Sequence, residues 1–166
     1  MPPRRSSADV VGATLSRLAP GLVRWIERTL AGHEPPLTVV QLGTLRAIAG
    51  GRDLGADIAR AAGITPAAVS QVVGALERDG LVARGDRDPR DRRRQSLTLT
   101  DAGRDALASA ERLVARRLAE LIGEMPGPEL DALQRSLSRV ADAIAGVPPP
   151  RAPAPPRPHG PPRPPR

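Results

Sequence analysis

The stretch Ile64–Val82, ITPAAVSQVVGALERDGLV, allows very few local structures. Thr65 can cap a helix, and Pro66 stands at the first helical position, where its missing N–H costs nothing. Ile64 before the cap and Val69 after it can form a hydrophobic staple. Gly80 can take the left-handed cap, with Leu81 folding back on Leu76. A helix is therefore predicted with both ends set by chain chemistry. A shorter helix, from about Leu54 to Ala62, precedes it and ends at Gly63. Small Ala59 lets the two helices approach, and Val69 and Val72 are placed to hold the second against the first. That organisation is a helix-turn-helix.

The next residues narrow the choice further. Leu81-Val82-Ala83 reads as a short strand, and Ser96-Leu97-Thr98-Leu99-Thr100 alternates and reads as its partner. Between them lies a charged stretch with six arginines and three aspartates from Arg84 to Arg94. It reads as the loop of a hairpin. A helix-turn-helix followed at once by a hairpin is a winged helix, with the arginine-rich loop as the wing tip. Guanidinium groups there can lie along phosphates or enter a narrow minor groove.

The remaining segments read as helices. Over residues 8–32, Val11, Leu15, Leu18, Leu22, Trp25 and Thr29 alternate spacings of four and three, with Ile26 and Leu30 beside them. Pro20-Gly21 predicts a kink or a break, and Pro35-Pro36 ends the element. Thr38 starts the next helix, with Gln41 placed for a capping box and Val39, Leu42, Leu45 and Ile48 apolar. Gly50-Gly51 stops it. Thr100-Asp101 can cap a helix over about 101–124, where Leu107, Ala110, Leu113, Val114, Leu118 and Leu121 recur on one side. Pro126-Gly127-Pro128 breaks it. Over 128–146, Leu130, Leu133, Leu137, Val140 and Ile144 form a coiled-coil-like seam. The fold class is mainly α, with a small β-hairpin.

The exposed side of the second helix of the helix-turn-helix carries Thr65, Pro66, Ala67, Ala68, Ser70, Gln71, Gly74 and Arg78. Small side chains let a helix sink into the major groove. Gln can read adenine N6 and N7, Ser and Thr can bond base edges or phosphates, and Ala methyls can meet thymine methyls. The bland alternative is an alanine-rich helix in an alanine-rich chain. The formal charge of +7 is less telling than it looks. All 25 basic residues are arginine, a pattern that follows codon bias as easily as function. The segment 148–166, PPPRAPAPPRPHGPPRPPR, carries four arginines and no acid, which leaves residues 1–147 at 21 − 18 = +3. Where the charge sits therefore matters more than its total.

Other chemistries fail on inventory. Without cysteine there is no disulfide, no thiol redox sensing and no zinc site of usual spacing. Only His33 and His159 are present, and no G-x-S-x-G turn appears. His33 reads as a loop or helix-end residue, and the expectation is no enzyme, no cofactor and no metal. No apolar run approaches the ~20 residues of a transmembrane helix. The N-terminus lacks the apolar region of a signal peptide, so the expected location is cytoplasmic, away from membranes. Residues 148–166 should be extended and unpacked, partly polyproline II, with a PxxP ligand or nucleic-acid tether as alternatives.

Val69 to Leu107, VSQVVGALERDGLVARGDRDPRDRRRQSLTLTDAGRDAL, resembles the core of MarR-family (multiple antibiotic resistance type) transcriptional regulators. The likeness includes the Leu76-to-Val82 approach to the wing, the D-P-x-D-R-R wing at Asp88, Pro89, Asp91, Arg92 and Arg93, the Leu99-Thr100 pair and the Asp101-Ala102-Gly103 helix start. It extends less specifically over 8–146. The resemblance implies a homodimer that binds double-stranded DNA at a pseudo-palindrome. Residues 1–147 would form the domain, with 37–100 the DNA-binding winged helix and 8–34 and 101–146 the dimerisation helices. Val11, Leu15, Leu18, Leu130, Leu133, Leu137, Val140 and Ile144 would form the dimer interface. The wing contacts would be Arg84, Arg87, Asp88, Arg90, Asp91, Arg92, Arg93 and Arg94, with Asp91 holding Arg93 for minor-groove insertion and Arg92 near phosphate. Arg90 and Arg94 depart from the commoner residues, and their charge should raise general affinity more than base discrimination. Such proteins often bind small aromatic acids. Leu22, Trp25, Ile26, His33 and Leu42 are the candidates to line an effector pocket, but Trp25 sits in the apolar stripe, which favours a core or interface role. The function read from the sequence is a repressor releasable by a small molecule. The alternatives are an architectural DNA-coating protein of weak sequence choice and an interaction module presenting the Pro/Arg tail.

Overall fold

The computed structural model describes residues 6–52, 54–87 and 95–146. Six helices and one antiparallel strand pair follow in the order α1 (Ser7–Ala31), α2 (Val39–Ala49), α3 (Gly55–Ala62), α4 (Pro66–Arg78), β1 (Val82–Arg87), β2 (Gln95–Leu99), α5 (Asp101–Ile122) and α6 (Gly127–Gly146). The mainly helical class with a small hairpin is as the sequence predicts. The Pro/Arg segment 148–166 and the wing residues Asp88 to Arg94 lie outside the described residues.

Local chemistry sets the helix boundaries. Ser6 and Asp9 form a capping box at the start of α1, and Thr38 and Gln41 form another at α2. A Glu27 carboxylate oxygen accepts from Val39 N–H at 3.1 Å, so α1 also helps to cap α2. Helix α1 continues through Pro20, and the predicted break does not occur. Proline removes the N–H that would bond the Ser16 carbonyl. That part of α1 is exposed, so water can satisfy the carbonyl.

The core gathers Leu30, Leu42, Leu45, Ile58, Val69, Val73, Leu76, Leu81, Leu97 and Ala110 from every element except α6. Val73, not Val72, is the second fully buried anchor of α4, and Val72 packs half-buried beside it. From Val69, a step of four residues rather than three returns to the side facing α2 and α3. Ala59 is buried, as close approach of α3 requires.

The hairpin is longer than the sequence suggested. Val82 pairs with Leu99, Arg84 with Leu97 and Arg87 with Gln95, with a register shift between Arg84 and Arg87. Two residues, Gly85 and Asp86, thus oppose Ser96, which is a β-bulge. Arg84 and Arg87 are strand residues, not loop-tip residues. The charged composition hid this, because ladder bonds use backbone groups and are indifferent to solvent-facing side chains. A Cβ at Gly85 would require the Ser96 hydroxyl to rotate aside.

One junction ties the hairpin to the helices on both sides. Helix α4 ends in a Schellman turn: Gly80 is left-handed (φ 71°), its N–H donates to Glu77 O at 3.0 Å, and Leu81 N–H donates to Leu76 O at 2.8 Å. Thr100 then closes on that turn. Its N–H donates to Leu81 O at 3.1 Å, and its hydroxyl donates to Gly80 O at 2.7 Å. The same hydroxyl accepts from Gly103 N–H at 2.9 Å, which caps α5. Gly103 is buried against the Leu81 carbonyl, and a Cβ would overlap that oxygen. Gly103→Ala is therefore expected to destabilise the protein by ~2 kcal/mol or more. Thr100→Val should cost ~1–2 kcal/mol through the lost cap and the orphaned carbonyl. Urea denaturation followed by circular dichroism measures both, and a wild-type midpoint in either variant contradicts this account.

Candidate DNA-binding surface

Helix α4 stands on α2 and α3 through Val69, Val73 and Leu76 and turns its other side outward. Thr65 is its N-cap and accepts from Ala68 N–H at 3.2 Å. Pro66, Ala67, Ser70, Gln71 and Arg78 are exposed, and Ala68 and Gly74 are half-buried. Among the described residues, the side chains of Ser70, Gln71 and Arg78 have no hydrogen-bond or ion-pair partner. The Arg78 guanidinium passes over Gly74, 3.9 Å from where a Cβ would stand. The eight residues singled out on this helix thus share one outward surface that is free of acid in its first turn. It is small enough for close approach and carries one cation at its far end.

The hairpin leaves from the end of the same helix. Of the predicted wing residues, Arg84 and Arg87 lie in β1, and Asp88, Arg90, Asp91, Arg92, Arg93 and Arg94 are outside the described residues. The Asp91–Arg93 pairing is outside them too. Arg84 is engaged within the chain. Its Nε donates to Glu77 Oε1 at 2.6 Å, and that bond is the main cause holding Arg84 above the usual arginine range.

The residues suggested for an effector pocket do not converge on one cavity among the described residues. Leu42 is in the core, Ile26 packs half-buried against it, and Leu22 is 37% exposed. His33 is buried and fully bonded. Its Nδ1 lies 2.7 Å from Pro35 O, and its Nε2 lies 2.7 Å from Ser109 Oγ. A carbonyl only accepts, so Nδ1 carries a proton, and the Ser109 hydroxyl that meets Nε2 also lies 3.1 Å from Ala106 O. His33 thereby joins the end of α1 to α5. Trp25 does border a cleft of about 370 Å³ between α1 and α5, with Arg28, Thr29, Gly32, Leu113 and Arg117. Nothing in the sequence pairs His33 with Ser109, 76 residues away. The opposite charges of Glu77 and Arg84 across a predicted glycine turn were a usable signal for that pair.

The terminal helices carry apolar side chains with no cover. Val10, Val11, Leu15, Leu18, Leu22 and Val23 on α1 are 37–57% exposed, and Leu121 (62%), Leu137 (52%) and Ile144 (69%) on α5 and α6 are exposed too. Leu130 and Leu133 are half-buried, and no residue with described burial in α6 is buried.

Solved structures share this arrangement. Rv1404 from Mycobacterium tuberculosis is 24% identical and aligns over 87% of this chain and 98% of its own, with a TM-score of 0.71. A mutant MarR from E. coli is 20% identical over 78% of this chain and 95% of its own, with a TM-score of 0.68. The M. tuberculosis MarR family protein Rv2887, in complex with p-aminosalicylic acid, is 27% identical over 78% of this chain and 97% of its own, with a TM-score of 0.64. No curated protein sequence matches the chain. The profile of the MarR family matches residues 36–94, from the start of α2 through the wing. The pattern of the MarR family thus lies over the helix-turn-helix and the start of the hairpin. Among the described residues no group of His, Asp and Glu could hold a metal, and no helix is long and apolar enough to cross a membrane.

Proposed function

We propose that this chain is a MarR-family transcriptional regulator, a homodimeric repressor that binds a pseudo-palindromic operator with α4 in the major groove. The observation that carries the proposal is the outward side of α4. Thr65, Pro66, Ala67, Ala68, Ser70, Gln71, Gly74 and Arg78 form a surface whose polar side chains are uncommitted within the described residues, apart from the Thr65 cap. An ordinary solvent-facing helix surface is a mixture of charges, whereas this one has the low profile and hydrogen-bonding groups of base readout. Arg87, Arg90, Arg92, Arg93 and Arg94 are assigned to the wing contact, with Asp88 and Asp91 limiting their mutual repulsion.

Dimerisation rests on the uncovered side chains of the terminal helices. Contiguous exposed apolar surface of this extent marks an interaction site, and Val11, Leu15, Leu18, Leu130, Leu133, Leu137, Val140 and Ile144 recur at the spacing of helix-to-helix seams. A second copy covers both seams at once and, through its own α4, supplies the second half-site. Residues 1–147 are assigned to this one domain, with 37–100 as its DNA-binding part. The Trp25 cleft is the candidate effector site. Trp25, Arg28 and Arg117 all line it, although Arg117 also bonds Glu120 at 2.6 Å. That combination suits a small aromatic carboxylate, and Rv2887 has been solved with salicylic acid and with p-aminosalicylic acid.

Selection of duplexes from a randomised pool by the full-length protein, followed by footprinting of the enriched sequence, tests operator binding. The expected result is a protected palindrome with half-sites about one helical turn apart. Equal affinity for enriched and random duplexes would establish an architectural DNA-coating protein instead. Gln71→Ala should relax preference at one base position by ~1–3 kcal/mol, whereas Arg93→Ala should weaken all duplexes and lower the salt slope. Sedimentation of Leu137→Glu should show loss of the dimer, and an unchanged dimer would place the interface elsewhere. Salicylate should release the wild type from its duplex but leave Arg28→Ala bound, as read by fluorescence anisotropy.

A further inference from the structure

We propose that Arg84 is a wing-positioning residue rather than a DNA contact: its bond to Glu77 ties the hairpin to the last turn of α4 and sets the angle between wing and recognition helix. The inference rests on the DNA-binding reading above and changes the role of one residue within it. Glu77 and Arg84 stand on opposite sides of the Schellman turn, seven residues apart, and their side chains meet at 2.6 Å. The carboxylate is sheltered, with only 26% of the Glu77 side chain exposed. Val82, Leu97 and Leu99 anchor the hairpin in the core and Arg104 donates to Leu99 O at 2.8 Å, and the Glu77–Arg84 bond adds a polar tie from α4 itself. The Thr100 bonds to Gly80 and Leu81 hold the ends of the strands where they join the helices. They do not restrain how a two-stranded ribbon rolls and twists beyond its base, and such ribbons twist readily. Arg84 lies one step further out, paired with Leu97 and immediately before the Gly85 bulge. A tie at that point restrains the ribbon where its direction changes.

The charge arithmetic separates the two roles. An arginine already paired with a carboxylate presents little net charge to phosphate, so it contributes little to counterion release. Glu77 as a bystander would repel DNA, and neutralising it would tighten binding. Glu77 as half of an aiming device has the opposite sign: neutralising it frees the wing, and binding weakens.

The test measures affinity of full-length Glu77→Gln, Arg84→Gln, Arg84→Glu and the exchanged pair Glu77→Arg/Arg84→Glu for the duplex enriched by the wild type. Measurements span about 50 to 200 mM salt, the range over which phosphate contacts register. Both glutamine variants should lose about three- to fivefold in affinity, the scale of one partly exposed ion pair, with the wild-type salt slope. The exchanged pair should bind more tightly than Arg84→Glu alone, while thermal unfolding confirms that each variant is folded. Tighter binding by Glu77→Gln, a slope lowered by about one in Arg84→Gln, or no recovery in the exchanged pair would each overturn the positioning role. Failure of the wild type to select any duplex would overturn the DNA-binding reading, and this inference with it.

Discussion

The structure turns on one hydroxyl. Thr100 Oγ1 donates to the Gly80 carbonyl and accepts from the Gly103 amide, so one side chain satisfies the C-terminal end of α4 and the N-terminal end of α5. Both ends would otherwise present orphan polar groups near the core. The geometry works only because Gly80 takes a left-handed conformation and Gly103 has no side chain to strike Leu81. Helix α4, the hairpin base and α5 therefore meet as one unit.

That coupling gives meaning to the unequal burial of the helices. The winged-helix part buries its own core, whereas the terminal helices leave Leu18, Leu121, Leu137 and Ile144 more than half exposed. Helix α5 spans both regimes. Its Ala106, Leu107, Ala110 and Val114 are buried on the winged-helix part, and Leu121 is exposed. His33 and Ser109 add a polar tie between α1 and the buried part of α5. Whatever covers the terminal helices is thus connected, through one continuous helix, to the surface assigned to DNA.

Much of this was legible because local chemistry carries it. Thr38 with Gln41, Thr65 with Pro66, and Gly80 with Leu81 are signals whose physical cause lies within a few residues, and each produced the boundary it predicted. The failures have equally definite causes. Strand β1 extends to Arg87 because backbone pairing with Gln95 and Leu97 is a tertiary matter, which a run of charges neither forbids nor announces. Val73 replaces Val72 in the core because the side of α4 that faces inward depends on where α2 and α3 stand. Of the five suggested pocket residues, His33 is bonded between α1 and α5, Leu42 lies in the core and Trp25 borders a cleft.

By itself the sequence determined the helix ends, the helix-turn-helix followed by a hairpin, and the absence of cysteine and of zinc-binding spacing. These follow from residue identity and short-range spacing, which folding does not alter. Tertiary structure alone decided which partner each charged or polar group takes. Ser109 meets His33, Glu111 meets Arg46 and Glu77 meets Arg84 because chain topology brings distant backbones within side-chain reach. No local pattern encodes that reach. An arginine run reads the same whether its first member faces phosphate or is held by a neighbouring helix, and only the fold distinguishes the two.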